Sequence, residues 1–160
     1  MKAFRTLIVA LLGAATLLVA GAAPAAARAA LTLRTSQVIE LNQIAGNPSW
    51  KSRAAQRVRN AQWQFGGGQF VFHTTDVRDD LYPMSGSYTI DGDVVRFSAS
   101  RSATYSTGSA YAEISGRLDT STRRLTFRWL SSFGNGAVVN GTTFAGANSS
   151  GYTGVVTVGT

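Results

Sequence analysis

A hairpin centred on Asp91-Gly92 is the sequence feature that most constrains the fold of this chain. Before it, Tyr88 and Ile90 alternate with a threonine, and after it apolar residues return at every second position, starting with Val95. Asp-Gly tolerates positive φ and favours a two-residue turn between antiparallel strands. A loop at 91–92 places Tyr88 opposite Val95, so the apolar faces match across the pair.

A second hairpin follows the same logic. Apolar side chains alternate up to Leu118, a polar turn covers 119–122, and they return from Leu125 onward. Folding about the 121/122 bond places Leu118 opposite Leu125 and Ile114 opposite Trp129. The inward sets match, which predicts a second pair of antiparallel strands.

Shorter patterns predict the remaining strands and the one helix of an all-β fold. Strands are predicted at 63–65 and 70–73 around three glycines, and a last pair at 137–144 and 152–158. A short helix capped by Ser52 is predicted over 52–61, whereas residues 28–46 fit either a strand or the start of a helix. Seven or eight short antiparallel strands with one N-terminal helix predict a small up-and-down barrel, with a β-sandwich as the alternative.

Two stretches within residues 62–100 resemble a known family. Trp63-Gln64-Phe65, a glycine turn and Phe70-Val71-Phe72 are similar to the opening hairpin of secreted bacterial lipocalin-like domains. The run from Gly86 to Phe97 resembles the hairpin that follows it there. The resemblance implies a calycin-type up-and-down barrel with a short helix near its start, and a small apolar molecule as ligand.

Residues 1–27 have the pattern of a secretory signal peptide. Lys2 and Arg5 precede an apolar stretch from Leu7 to Ala20, and three alanines at 25–27 suit the cleavage site. That stretch is shorter than the roughly 20 residues of a membrane-spanning helix. We predict a signal peptide at 1–27, an N-terminal segment with the helix at 28–61 and a barrel core of the single domain at 62–160. The expected location is secreted, periplasmic or cell-envelope, with no transmembrane segment after cleavage.

The mature charge is moderately basic. Without residues 1–27, thirteen basic residues accompany eight acidic ones, and twelve of the thirteen are arginine. The densest basic patch comprises Lys51, Arg53, Arg57 and Arg59 on the predicted helix. It could bind an anionic surface or an envelope polymer, or be a solvated helix face. The signal peptide and the lack of an RNA-binding strand signature predict no nucleic-acid partner.

Candidates for catalysis or metal binding are few. The chain has no cysteine and one histidine, which excludes a thiol nucleophile and a cysteine-ligated metal site. His73 and Glu40 are weak candidates for a catalytic base. His73 could also join the aspartates at 76, 79 and 80 around a metal, but a solvated loop explains them as well. We therefore predict no metal and no cofactor, and we lean against an enzyme without excluding one.

Inward-facing aromatic residues form the candidate ligand site. An eight-stranded barrel can be filled by side chains or hold one small ligand, and both remain open. The first hypothesis is a secreted non-enzymatic binding protein for a small apolar or amphipathic molecule. The second is an envelope-associated protein that binds a polymer, an anionic surface or a partner protein, and the third is a barrel isomerase or cyclase. The candidate ligand-binding residues are Trp63, Phe70, Phe72, Tyr88, Phe97, Phe127 and Trp129.

Overall fold

The chain folds into strands with one short helix in the computed structural model, which describes residues 30–74, 81–105, 108–134, 138–139, 143–144 and 149–160. A 3₁₀ turn, Pro48–Trp50, leads directly into the helix, α1, at Lys51–Arg59. The strands are β1 Leu31–Ala45, β2 Gln62–Gly66, β3 Gln69–His73, β4 Met84–Asp91, β5 Val94–Tyr105, β6 Gly108–Asp119, β7 Arg124–Gly134, β8 Val138–Val139, β9 Thr143–Phe144 and β10 Ser150–Gly159.

Eight of these strands close into an antiparallel barrel. The order around the wall is β1, β10, β7, β6, β5, β4, β3, β2, so consecutive strands are neighbours until β10 returns between β7 and β1. The barrel closes where Leu31–Arg34 of β1 pair with β2. The predicted all-β up-and-down barrel is therefore confirmed, and the β-sandwich alternative is wrong.

The first and last strands of the barrel differ from those that the sequence predicted. β1 occupies most of the ambiguous stretch 28–46, so the barrel begins at Leu31, inside the segment that we separated from the core at 62. Against β10 its register shifts three times, which breaks the alternation that would have marked it as a strand. β10 contains the predicted 152–158 strand, but its partners are β1 and β7. The described residues of 137–144 instead pair with each other as β8 and β9.

One hairpin register is confirmed and the other is shifted. Leu118 lies opposite Leu125 as predicted. Tyr88, however, lies opposite Phe97 rather than Val95, because Asp91 still pairs with Val94 and the turn is Gly92-Asp93. Gly92 has φ +58° at the first turn position, the place where a type II′ turn requires glycine. The shift changes the partners by two residues and leaves each strand's inward face unchanged.

The helix packs its apolar side against one end of the barrel. Ala54 and Val58, one turn apart, are buried there, as the spacing predicted. Ser52 is not the cap, because α1 begins at Lys51 and no side chain caps its first turn; Asn47 instead caps the 3₁₀ turn. In the described part of the chain this helix is far too short to cross a membrane. The predicted signal peptide, 1–27, lies outside the described residues.

Candidate functional site

Aromatic rings pack against one another in the middle of the barrel. Trp63 of β2 packs against Phe127 of β7 with ring centroids 5.6 Å apart, and Phe70 of β3 lies 4.4 Å from Phe97 of β5. These strands are not neighbours, so the rings meet across the interior. The Trp63 indole N–H donates to the Thr35 hydroxyl at 3.1 Å, which satisfies it. Rings in such contact contribute to the core of the protein.

The other residues of the aromatic set are placed toward the barrel ends. Tyr88 is half-buried, whereas Phe72 and Trp129 are buried toward the end that carries α1. There Trp129 packs against Tyr82 and Tyr152, with ring centroids 6.0 and 5.7 Å away. Among the described residues, the buried Trp129 indole N–H has no hydrogen-bond acceptor. Ligand binding by the seven aromatic residues stays a prediction.

The four basic residues predicted as a patch on α1 differ in their exposure, and binding by them stays a prediction. Lys51, Arg53 and Arg59 are exposed, but Arg57 is half-buried and lies 5.9 Å from the centre of the Tyr82 ring. That distance is within the range of a cation–π contact. Arg57 thus belongs to the barrel end, and its charge partly opposes the burial that raises the pKa of Tyr152.

The two candidate bases do not share a site in the described structure. Glu40 is exposed on β1, where it accepts a hydrogen bond from the Asn42 side chain. His73 is half-buried on β3 next to Gln62, and no hydrogen bond links it to Glu40. Asp76, Asp79 and Asp80 lie outside the described residues, and within those residues no three acidic or histidine side chains gather as metal ligands.

The outer wall of β4 to β7 carries a surface that the sequence analysis did not single out. On this face arginines on three adjacent strands come together. Arg96 of β5 lies directly opposite Arg117 of β6. Arg128 of β7 lies opposite Ser115, one row along the strand, and so diagonal to Arg117. We call Arg96, Arg117 and Arg128 the arginine triad. They line a shallow groove of about 440 Å³.

Hydroxyl side chains surround the triad. Antiparallel pairing aligns the outward residues of β4, β5, β6 and β7 into rows about 7 Å apart along the strands. Each row runs across four strands. The triad row is Thr89, Arg96, Arg117 and Thr126; the next is Ser87, Ser98, Ser115 and Arg128; the third is Ser85, Ser100, Glu113 and Leu130.

The carboxylates on this face stand at its two ends. Asp119 lies beside the β6–β7 turn, where its Oδ1 accepts from the Ser121 hydroxyl at 2.6 Å and from the Ser121 and Thr122 amides. The Ser121 hydroxyl is the main reason that the pKa of Asp119 is lowered, with the two amides adding to it. Asp91 stands at the neighbouring turn. Within the described residues no carboxylate forms an ion pair with the triad.

Glu113 marks the opposite side of the triad. Its Oε2 accepts a hydrogen bond of 2.9 Å from the Tyr111 hydroxyl. Burial raises the pKa of Tyr111, and the Glu113 carboxylate raises it further. Both residues line a second groove of about 470 Å³ that joins the triad groove at Ser115. Across the β6–β7 pair, Glu113 is diagonal to Arg128.

Directly opposed like charges destabilise a sheet by a few tenths of a kcal/mol up to about 1 kcal/mol. Arg96 and Arg117 are such a pair, and neither forms an ion pair in the described structure. A cluster of this kind can bind an anion, because each guanidinium presents a fork of donors that matches a carboxylate, sulfate or phosphate. The sequence predicted part of this arrangement, because the alternation already placed all three arginines on outward faces. The sequence did not predict the register of β5 against β6, which brings Arg96 and Arg117 together.

The fold and this surface define an up-and-down barrel with aromatic rings packed across its centre and a cationic groove on its outer wall. No family model, curated protein or solved structure matches the chain. The resemblance to lipocalin-like domains therefore stays a prediction.

Proposed function

We propose that this protein is a secreted, non-enzymatic binding protein that docks on an anionic polymer of the cell envelope through the arginine triad. The observation that carries the proposal is the Arg96–Arg117 pair, two like charges placed directly opposite each other without an ion-pair partner in the described structure. Such a pair lowers stability in the free protein. When a negatively charged ligand binds to the pair, its attraction to both arginines offsets their mutual repulsion.

The surroundings of the triad suit a polymer more than a small ion. The groove is open along the barrel wall, and beside the arginines it is lined by the short side chains of Ser115, Gly116 and Thr126, which let an extended chain approach the sheet. Arginine binds carboxylate and phosphate groups through two parallel N–H donors, so three arginines can hold successive charges of a chain. The N-terminal pattern at 1–27 supports delivery of the protein to the place where such polymers occur.

Binding to two anionic polymers, polygalacturonate and inorganic polyphosphate, tests the proposal, with neutral dextran as the uncharged reference. We expect saturable binding to at least one polyanion, steep weakening with added salt and no binding to dextran. Replacing the triad with glutamine (Arg96→Gln, Arg117→Gln, Arg128→Gln) should abolish binding.

A matched variant controls for total charge. Lys51→Gln, Arg53→Gln and Arg59→Gln remove the same number of charges from the exposed residues of α1, and this variant should bind almost as the wild type does. If the α1 variant loses binding while the triad variant keeps it, the helix is the interface and the proposal is wrong. Absence of binding to both polyanions overturns it as well.

A second candidate function follows from the buried Trp129 indole N–H, which has no acceptor in the described structure. A buried donor left unpaired costs roughly 1–3 kcal/mol, and a ligand acceptor would recover that energy. We propose a small amphipathic molecule with a hydrogen-bond acceptor at the α1 end of the barrel. Native mass spectrometry of protein from its own culture medium tests this idea. An added mass that Trp129→Phe removes supports it, and a ligand-free wild type counts against it.

A further inference from the structure

The second groove lies beside the triad and differs from it in chemistry. Where the triad offers donors and positive charge, this groove offers the Glu113 carboxylate, the ring of Tyr111 and the hydroxyls of Ser98, Ser100 and Ser115. Ser115 belongs to both grooves. A polymer that places one charge on the triad and runs along β6 therefore meets Glu113 next, four residues from Arg117 and about 13 Å away along the strand.

The hydrogen bonds of Glu113 determine which chemical groups the next unit of the polymer must carry. An ionised carboxylate only accepts hydrogen bonds. One of its oxygens accepts from the Tyr111 hydroxyl, which also aims the group, and among the described residues no donor reaches the other oxygen. A polymer unit that brings hydroxyl donors satisfies it. A phosphate, which has the same sign of charge and offers mainly acceptors, is repelled.

The ring of Tyr111 and the serine hydroxyls fit the same kind of unit. Tyr111 is half-buried, so its ring is held in place and presents a rigid apolar surface beside polar groups. Serine hydroxyls both donate and accept, and they suit a partner with hydroxyls around an apolar ring. A sugar ring has this composition.

We propose that the polymer is an acidic polysaccharide, with a carboxylate or sulfate of one sugar on the arginine triad and the hydroxyls of a following sugar on Glu113 and Tyr111. This inference rests on the proposed function, since the triad supplies the anchoring charge contacts. It adds a specificity element: Glu113 rejects polyphosphates and charged lipid surfaces, and accepts a chain in which hydroxyl groups accompany each charge.

The test compares polygalacturonate with inorganic polyphosphate at equal charge concentration, using Glu113→Gln and the control Glu40→Gln. Both substitutions remove one negative charge, but Glu40 lies on the exposed part of β1, away from the groove. Loss of a hydrogen bond to a charged group weakens binding by about tenfold or more. We expect Glu113→Gln to weaken polygalacturonate binding by about that factor and to strengthen polyphosphate binding, because the repelling charge is removed. Glu40→Gln should change neither by more than about twofold.

Substitutions of Tyr111 provide an independent test of the polysaccharide inference. Tyr111→Phe keeps the ring and removes the hydroxyl that aims Glu113, so its loss of polygalacturonate affinity should be smaller than that of Tyr111→Ser, which removes both. Thermal unfolding of each variant shows whether it is folded, and Tyr111→Phe keeps the test valid if Tyr111→Ser is not.

The outcomes separate the two proposals. If the wild type binds polyphosphate as tightly as polygalacturonate, or Glu113→Gln leaves polygalacturonate binding unchanged, the polysaccharide inference is wrong and the anionic-polymer function stands. If the wild type binds neither polymer, the proposed function itself has failed. If the triad variant loses both polymers while Glu113→Gln loses polygalacturonate alone, both proposals are supported.

Discussion

Reversing the charge of Arg117 should make the protein more stable while it abolishes polymer binding. Arg117 lies opposite Arg96, diagonal to both Arg124 and Arg128, and two residues before Asp119 on the same outward face. It therefore has three like charges and one unlike charge as neighbours. At about 7 Å in a water-like dielectric each pair contributes about 0.6 kcal/mol, so the net effect of Arg117 in the free protein is two uncompensated repulsions.

Arg117→Glu changes the sign of all four interactions. The expected gain in the free energy of unfolding is about 1 kcal/mol at low ionic strength, near the upper end of what surface charge pairs contribute. For a domain of this size that corresponds to a rise in Tm of about 4 °C. At 1 M salt the screening length falls to about 3 Å and the gain should vanish.

Thermal unfolding at 10 mM and 1 M sodium chloride measures the effect. Arg59→Glu is the control, because it reverses an exposed arginine in the last turn of α1, where a positive charge is favourable. It should lower Tm slightly. If Arg117→Glu also lowers Tm at low salt, or shifts it equally at both salt concentrations, the triad is not electrostatically strained and the main support for the proposed function is lost.

Three further predictions concern the fold. Gly86→Ala should cost about 3 kcal/mol in chemical denaturation, since its Cβ would fall against the Ser98 backbone carbonyl oxygen; Ser87→Ala, one exposed position along, should cost almost nothing. Phe70→Ala should cost about 3–5 kcal/mol, because it empties the centre of the ring cluster; Phe70→Leu should cost clearly less, and equal costs would contradict a filled interior. The lowered pKa of Asp119 means that its stabilisation is present above about pH 3.8, its ordinary value, and is lost as pH falls through the lower value of the folded state; stability measured between pH 5 and 2 should therefore fall less steeply in Asp119→Asn.

Local sequence patterns predicted most of the strands of the barrel. The alternation around Leu118 and Leu125 gave the correct register because the turn between them is polar and the apolar faces fit in one arrangement only. At the first hairpin the same reasoning chose the wrong turn by one residue, since the glycine occupies the first turn position instead of the second. The sequence left β1 open between a strand and the start of a helix, because its three register shifts interrupt the period of two.

The candidate site depended on information that no single strand contains. Arg96, Arg117 and Arg128 each sit at an outward position of a recognisable strand, which the alternation predicts. Their proximity follows from the pairing of β5 with β6, and the residues between these strands, 106–107, carry no distinctive sequence pattern. The groove that joins them to Glu113 follows from the same register.

The sequence by itself determined the strand class, the inward faces, one hairpin register and the short helix, because these depend on contacts between residues close in the chain. The tertiary structure decided the rest: that β10 closes the barrel between β7 and β1, that the aromatic rings meet in the middle, and that three arginines share one row and its diagonal. These are long-range pairings, and many registers with the same inward faces satisfy the local pattern equally well. Only the closed barrel selects one of them.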